Sequence, residues 1–556
     1  MLKKFLKGFL KWLVLPLFVL ILLLTAYYQF IVKFSPPAVQ DQTSLNLKRE
    51  VVSDNHFKIG NNWLLKNTSG VWEMYVEGKP FERGVINGKL ATELVQNQEE
   101  YFVSSIKNLI PSENYLKFLK YFTVWFNRNM PNYVRLDYQE EIFGISHSFS
   151  PKFNFIGSNY ERNLNYHAAH DIGHALQEMG LVVGCTSFSV WGDKSEDGSL
   201  IIGRNFDFYT GDDFAKDKIV MFTRPYSGYG FMTVTWGGFI GATSGMNEKG
   251  LTVTLNAAKS NFPTYAATPI SLLAREILQF AQTIDEAFAI AQKRKTFVAE
   301  SIMIGSAADG KTAIIEKSPK RTAIVYPKEN KIVCSNHYQS PEFNSDTLNM
   351  SEANATTSAY RFKRVNELLS QKPKLNETQT AAILRSQKGL NDAFFGYGNE
   401  KAINQLLCHH SVIFKPQQQL VWVSTQPFQL GKYICYDLKK IFDKPATGSY
   451  TNAVVDSLTI EADTFLVSKE FKDYQTFHQL KLKLQSYLRG RGDFSQNEAE
   501  VLVATNPELY QSYWLAGDFY TRNKEMAKAQ TMYKAALTKQ IPRVAEREAI
   551  LKLINK

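Results

Sequence analysis

The sequence predicts an α+β protein, and three observations carry the prediction. Short strand candidates crowd the stretch after residue 182, two helices follow, and strands return between 301 and 334; such runs argue for sheets covered by helices. Hydrophobic residues make up 44% and charged residues 21% of 556 positions, which supplies sizeable cores and rules out a mainly disordered chain. Four cysteines are too few for a disulfide-built fold, although one bridge among Cys334, Cys408 and Cys435 is compatible with a location outside the cytoplasm. The 64 Lys and Arg against 53 Asp and Glu leave a formal charge of +11. That charge is spread along the chain with no nucleic-acid motif beside it, so no nucleic-acid partner is expected.

The elements follow in chain order. Trp12 to Val32 carries no charge and is mostly Leu, Val, Ile and Phe, long enough at about 1.5 Å per residue to cross a hydrocarbon core of about 30 Å. Lys3, Lys4, Lys7 and Lys11 precede it, so the positive-inside bias predicts an anchor over 1–35 with the body outside the cytoplasm, periplasmic or extracellular. A cleaved signal peptide is the competing reading, but the run is longer than an ordinary h-region and no small-x-small site stands out after it. Residues 36–62 are polar and irregular and read as a linker. The unit 63–184 opens with the alternating strand Val71–Val76, a turn at Glu77-Gly78-Lys79-Pro80 and a helical stretch from about Gly88 to Ile110.

The β-rich unit 185–450 supplies strand candidates at Thr186–Trp191, Leu200–Phe208, Ile219–Thr223, Met232–Trp236 and Leu251–Leu255. Helices are expected at Ile270–Ala281 and Ile284–Lys293, then strands at Ser301–Gly305, Ala313–Glu316, Thr322–Tyr326 and Ile332–Cys334. Over 457–556 the composition turns helical. Tyr513, Gly517, Tyr520, Ala529, Tyr533 and Ala536 fall at the spacings of a tetratricopeptide hairpin. A lone repeat cannot bury its own faces, so it must pack on the body, on neighbouring helices or on a second copy of the chain, which makes a homo-oligomer through these helices an open alternative.

The chemistry-bearing residues form an ordered set. Val183-Gly184-Cys185-Thr186-Ser187-Phe188 is followed by Gly203-Arg204-Asn205-Phe206-Asp207-Phe208, by Gly245-Met246-Asn247-Glu248-Lys249-Gly250-Leu251 with Asn256, by Ser335-Asn336-His337, and by Ser358-Ala359-Tyr360-Arg361-Phe362. This set resembles the N-terminal nucleophile hydrolases of the choloylglycine hydrolase and penicillin acyltransferase group, with acid ceramidase-like enzymes among them. The resemblance covers roughly residues 68–440 and includes Glu77-Gly78-Lys79-Pro80-Phe81-Glu82-Arg83-Gly84. It implies a four-layer αββα sandwich, no cofactor and no metal, and a cysteine amidohydrolase or acyltransferase acting on a small-molecule acyl amide; the 13% of aromatic residues and the expected membrane anchor point to a lipid-like one.

The physical logic is independent of the family. A thiolate is the nucleophile, and an internal cysteine without a base stays protonated at a reference pKa of about 8.5. Cleavage between Gly184 and Cys185 would free an α-amine, with a reference pKa of about 7.7–8.0, beside the sulfur. Gly184 offers little hindrance to attack on its own carbonyl. On the resemblance, Arg204 favours thiolate, Asp207 accepts from the α-ammonium, and Asn256 donates to an oxyanion, an effect worth about 3–4 kcal/mol. Asn336 holds the amine or the substrate amide, and Arg361 completes the network beneath the nucleophile. In bile-salt hydrolases the stretch before the matching asparagine runs one residue longer, so Asn256 follows the acyltransferase and ceramidase pattern.

Rival readings sit beside this one. A lone buried cysteine is more often a small hydrophobe, and Gly-Met-Asn-Glu-Lys-Gly-Leu serves as a turn between strands. His167, His170 and His174 have helical spacing, yet the helical metalloprotease pattern needs a Glu between histidines four apart, and Asp171 follows His170 instead. Packing is the expected role of that segment. Bile-salt or penicillin V amidase activity, and a membrane-tethered scaffold with an inert hydrolase fold, are the alternatives in function.

Overall fold

The computed structural model describes residues 2–27, 35–109, 112, 121, 123–168, 171, 182–209, 211–259, 265–443 and 454–555. In chain order the strands before residue 260 are β1 Glu50–Ser53, β2 His56–Ile59, β3 Asn62–Lys66, β4 Trp72–Gly78, β5 Val182–Val190, β6 Ile201–Tyr209, β7 Ile219–Pro225, β8 Phe231–Thr235, β9 Ser244–Asn247 and β10 Leu251–Ala258. After two helices come β11 Ala299–Ser306, β12 Lys311–Lys317, β13 Thr322–Val325, β14 Lys331–Cys334, β15 His410–Lys415, β16 Leu420–Ser424 and β17 Tyr433–Asp437. They form two sheets: a large one ordered β1-β2-β3-β4-β7-β8-β9-β10-β11-β12-β13 and a smaller one ordered β14-β5-β6-β15-β16-β17.

The sheets stack face to face because their inner positions are apolar. Val220, Phe222, Met303 and Ile314 of the large sheet meet Ile202, Val412, Phe414 and Val423 of the small one in a single core. The opposite face of the large sheet, with Met221, Val253, Ile302 and Ile315, is covered by the helices Pro80–Leu90, Leu136–Ser146, Ile270–Phe280 and Ile284–Lys293. The outer face of the small sheet, with Phe188, Ile413 and Trp422, is covered by Ser358–Ser370 and Glu377–Leu384. Alternation within each strand is what lets one sheet serve two cores.

The part upstream of Gly184 is built into this body. β4 pairs in parallel with β7, so β1–β4 extend the large sheet. Gly84 and Gly144 let their helices touch, since a Cβ on Gly84 would lie 2.0 Å from the Glu141 carbonyl oxygen. Buried Glu141 accepts from Arg83 at 2.5 Å and from Arg275 at 2.6 Å, a link between upstream and downstream segments. Burial works against its charge, but the two guanidinium groups win and hold its carboxyl at about 2.

Three expectations change. Residues 50–59 of the expected linker form the β1–β2 hairpin, whose Asp54-Asn55 turn and flanking Val51, Phe57 and Ile59 make a short edge of the large sheet. The N-terminal helix runs from Leu2 to Tyr27, so only sixteen uncharged residues from Trp12 lie on it. Among the described residues no helix is long and apolar enough to cross a membrane, and the remainder of the run to Val32 lies outside them. The four cysteines are free thiols, so the bridge left open among Cys334, Cys408 and Cys435 is not formed.

Beyond residue 457 the helices Lys469–Leu488, Gln496–Thr505, Tyr510–Arg522, Met526–Leu537 and Val544–Ile554 pack around their own core. Gly517 is the contact point of the expected hairpin: a Cβ there would lie 2.4 Å from Tyr533 Cε1. The hairpin's faces are covered by the other helices and by Leu406 and Leu430 of the body.

Candidate active site

β5 and β6 run antiparallel with Gly184 opposite Asp207, Cys185 opposite Phe206 and Ser187 opposite Arg204. Alternation then sorts the side chains. Cys185, Ser187, Arg204 and Phe206 face the space between the sheets, whereas Thr186, Asn205 and Asp207 face the helices outside the small sheet. Arg204 and Asp207 are three residues apart on one strand, so they reach the region of Cys185 from opposite faces.

On the inner face Arg204 is fully buried and donates through Nη2 to Cys185 Sγ at 3.6 Å and to the Leu255 carbonyl at 2.5 Å. Its Nη1 donates to Ser244 Oγ at 2.5 Å. Ser244 Oγ also lies 2.8 Å from His410 Nε2. Burial pushes the Cys185 thiol up to about 11, with Arg204 acting in the opposite sense. In the uncut chain this sulfur is therefore a protonated thiol, as expected of an internal cysteine lacking a base.

On the outer face Arg361, from the helix Ser358–Ser370, donates through Nη1 to the Cys185 carbonyl at 2.6 Å and to Thr186 Oγ1 at 2.7 Å. Its Nη2 donates to Asn336 Oδ1 at 2.6 Å, and the same oxygen accepts the Cys185 main-chain N–H at 3.0 Å. Asn336 is held by its Nδ2 on the Ala257 carbonyl at 2.9 Å and by its N–H on Ser358 Oγ at 2.8 Å. In the uncut chain the Cys185 N–H is thus given to Asn336, the carboxamide assigned to the amine. Asp207 Oδ2 accepts from Gln405 Nε2 at 3.4 Å, and burial lifts its carboxyl to about 7 against Arg361 and Arg204.

Asn256 lies on β10 across from β5. Its Oδ1 accepts from Ser187 Oγ at 2.8 Å and its Nδ2 donates to the Cys334 carbonyl at 3.2 Å, so its amide ties the two sheets together beside the site. The loop 248–250 is the expected turn between β9 and β10, with Gly250 at φ +73° where a side chain would be strained.

Cys185 also belongs to an apolar cluster with Phe206, Phe208, Phe214 and Ala257, packed by Phe102 and Trp236. Phe102, Phe208, Phe214 and Trp236, with Phe149 and Tyr166 among others, line a small, partly open aromatic pocket. Residues from both sides of Gly184 build it. At its polar end Glu99 is held by Arg162 at 2.7 Å and by the Tyr166 hydroxyl at 2.8 Å.

His167 is a packing residue. Its Nδ1 lies 2.8 Å from the Asn163 carbonyl and its Nε2 accepts the Ile240 N–H at 3.0 Å, which leaves no nitrogen for a metal. Burial holds it neutral, at about 4. His170 and His174 lie outside the described residues, and among those described no group of three His, Cys, Asp or Glu could hold a metal ion.

The sequence reading did not find Ser244, His410 or Gln405. Ser244 adjoins the Gly245 motif and was within reach of it; Gln405, 198 positions after Asp207, carries no motif at all.

Residues 194–426 match the family described as acyl-coenzyme A:6-aminopenicillanic acid acyl-transferase. The matched stretch begins just after Cys185 and contains Arg204, Asp207, Asn256, Asn336 and Arg361. An uncharacterized protein of Archaeoglobus fulgidus is 25% identical over 320 residues, 50% of this chain and 52% of its own length, so the chain spans about half of that curated relative. Among solved structures, the Caenorhabditis elegans N-acylethanolamine-hydrolyzing acid amidase ortholog is similar at 17% identity, over 42% of this chain and 93% of its own, with a TM-score of 0.30. Penicillin V acylase from Agrobacterium tumefaciens is similar at 18% identity, over 48% and 90%, with a TM-score of 0.33. A mutant of the conjugated bile acid hydrolase from Clostridium perfringens is similar at 12% identity, over 48% and 94%, with a TM-score of 0.34. Over residues 194–426 the chain is thus similar to the acyl-transferase family, one branch of the group its motifs resemble.

Proposed function

We propose that the protein is a cysteine amidohydrolase or acyltransferase of the N-terminal nucleophile type, built on the αββα sandwich and activated by cleavage between Gly184 and Cys185. One observation carries the reading: both reactive atoms of Cys185 are addressed by protein groups, the sulfur by Arg204 and the nitrogen by Asn336.

In the first stage Cys185 Sγ attacks the Gly184 carbonyl carbon. The S–C bond forms, the Gly184–Cys185 C–N bond breaks, and the nitrogen leaves as the α-amine after taking a proton. Water then hydrolyses the thioester, releasing the Gly184 carboxylate and the free thiol. Arg361, on the Cys185 carbonyl, and Asn336, on its nitrogen, hold the backbone through these steps. The pieces stay together through the β4–β7 pairing and the Arg83–Glu141–Arg275 link.

In the second stage the new α-amine takes the thiol proton, as a base matched to near-neutral pH. The thiolate attacks a linear carboxamide, the amine leaves, and water or a second amine accepts the acyl group from the thioester. Asn256 is assigned the oxyanion on the resemblance, and its fixed amide beside β5 is compatible with that. The aromatic pocket, whose wall residues Phe208 and Phe214 share an apolar cluster with Cys185, favours an N-acyl amine or N-acyl amino acid with an apolar acyl group.

N-terminal sequencing of the purified protein tests the first stage: a fragment beginning Cys-Thr-Ser-Phe is expected, and none from Cys185→Ala. A panel of N-acyl amino acids, ceramide-like amides, conjugated bile acids and penicillin V tests the second. An uncut chain that still turns over amides sinks the mechanism, and wild type behaving like Cys185→Ala throughout leaves the inert scaffold. Location of the body outside the cytoplasm is proposed on the lysines before the uncharged run; digestion by protease added to intact cells is expected, and full protection there would overturn it.

A further inference from the structure

We propose that Gln405 is a positioning residue for Asp207 and the Gly184–Cys185 junction, and that the C-terminal helices hold it there. The inference rests on the proposed function and adds a role for a region outside the matched family stretch.

Gln405 is buried, and its Nε2 donates to Asp207 Oδ2 at 3.4 Å. The same amide occupies the room left by Gly184: a Cβ on that residue would lie 2.9 Å from Gln405 Nε2 and 3.4 Å from its Oε1, with Arg361 Nη2 at 3.6 Å. Gln405 and Arg361 therefore flank the backbone that has to be cut, on the outer face of the small sheet.

The next residue is tied to the C-terminal helices. Leu406 has φ +52°, a conformation costly for a branched side chain and kept only where surroundings enforce it. Its N–H donates to Asn404 Oδ1 at 2.9 Å, its carbonyl accepts the Tyr474 hydroxyl at 3.2 Å, and its side chain is buried in the helical core. The rest of the loop 394–406 is clasped by the same helices. Asn506 exchanges bonds with both main-chain groups of Tyr397, at 3.1 and 2.9 Å. Asn399 Nδ2 donates to the Gln540 carbonyl at 3.0 Å, and Glu400 pairs with Arg543 at 2.7 Å. At the far end of β6, the strand carrying Asp207, Asp212 accepts from Tyr209 at 2.7 Å and pairs with His478 at 2.9 Å.

The donor matters because Asp207 Oδ1 has no hydrogen-bond partner, and besides Gln405 it is the Cys408 thiol that bonds the carboxyl. The charged and titratable groups facing it are Arg361, Arg204, Cys408 and Cys185. Removing the Gln405 N–H destabilises the carboxylate and moves its titration upward.

The test uses the full chain with Gln405→Leu, Gln405→Glu and Tyr474→Phe, each checked for folding by circular dichroism and melting. For Gln405→Leu we expect cleavage at Gly184–Cys185 and kcat to fall about tenfold with KM within about twofold, and the acid limb of the pH–kcat profile to move to higher pH. Gln405→Glu has the same shape but sets a second anion beside Asp207, so it is expected to do the same; a space-filling role would leave it at wild-type values. Tyr474→Phe, which frees Leu406, is expected to shift both readouts in the same sense by about two- to threefold. Wild-type cleavage, kcat and pH profile in folded Gln405→Glu and Tyr474→Phe overturn the inference, whatever the fate of Gln405→Leu. A wild-type protein that is neither cut nor active on the amide panel overturns the proposed function, and this inference with it.

Discussion

Cys185 and the other three cysteines share one condition, burial, and differ in what faces the sulfur. Cys408 Sγ donates to the His410 carbonyl at 2.8 Å, Cys334 Sγ to the Ser335 carbonyl at 3.6 Å, and Cys435 lies in the apolar layer under the helices of the small sheet. Each such sulfur keeps its proton, and burial pushes Cys435 up to about 12. Cys185 alone among the four has a guanidinium as the donor on its sulfur and a carboxamide oxygen on its own nitrogen. Desolvation makes a thiol inert; only a charge partner and a releasable base turn a buried thiol into a nucleophile.

The sharpest way to break that contrast is to exchange the two kinds of cysteine. Cys185→Ala should abolish cleavage and lower amide turnover by at least about 10³-fold, while Cys435→Ala keeps both, read by gel mobility and the amide panel. Next in size is a stability effect at Asp207, measured by urea unfolding in the uncut Cys185→Ala background. Burial raises its carboxyl from 3.8 to about 7, so between those values the folded state keeps a proton that the unfolded chain has released. Stability should therefore fall as pH rises from about 4 to about 7 and level off above, a contribution on the order of 4 kcal/mol that Asp207→Asn removes.

Arg204→Met should lower kcat/KM about 10²-fold and move the alkylation of Cys185 by iodoacetamide to higher pH, because the positive charge favouring thiolate is gone. An unshifted alkylation profile would contradict the distinction between the sulfurs. The smallest effect is expected at the pocket wall. Phe214→Ala should raise KM for long-chain N-acyl substrates about tenfold with kcat nearly unchanged, and leave short-chain substrates untouched.

Much of the body was legible in the residues. The helix Ile284–Lys293 and the strands starting at Ile219, Leu251 and Thr322 coincide with the expected ones, because each is a short apolar run with clear punctuation. The β1–β2 hairpin was missed because its strands are four residues each and β1 is exposed, which leaves little hydrophobic pattern to read. Within the site, Arg204, Asn336 and Arg361 all bond atoms of Cys185 or of one another. The partner of the Cys185 nitrogen, by contrast, depends on where the loop after β14 meets the helix Ser358–Ser370, and no local pattern encodes that meeting.

By itself the sequence determined what is local: strand and helix periods, a glycine before a cysteine, an arginine and an aspartate three apart and hence on opposite faces of one strand. Only the tertiary structure decided what is distant: that Asn336 accepts the Cys185 N–H of the uncut chain, and that a loop held by the C-terminal helices delivers Gln405 to Asp207. The reason is physical. Periodicity follows from backbone geometry over a few residues, whereas contacts between groups far apart in the chain are settled by how whole layers pack.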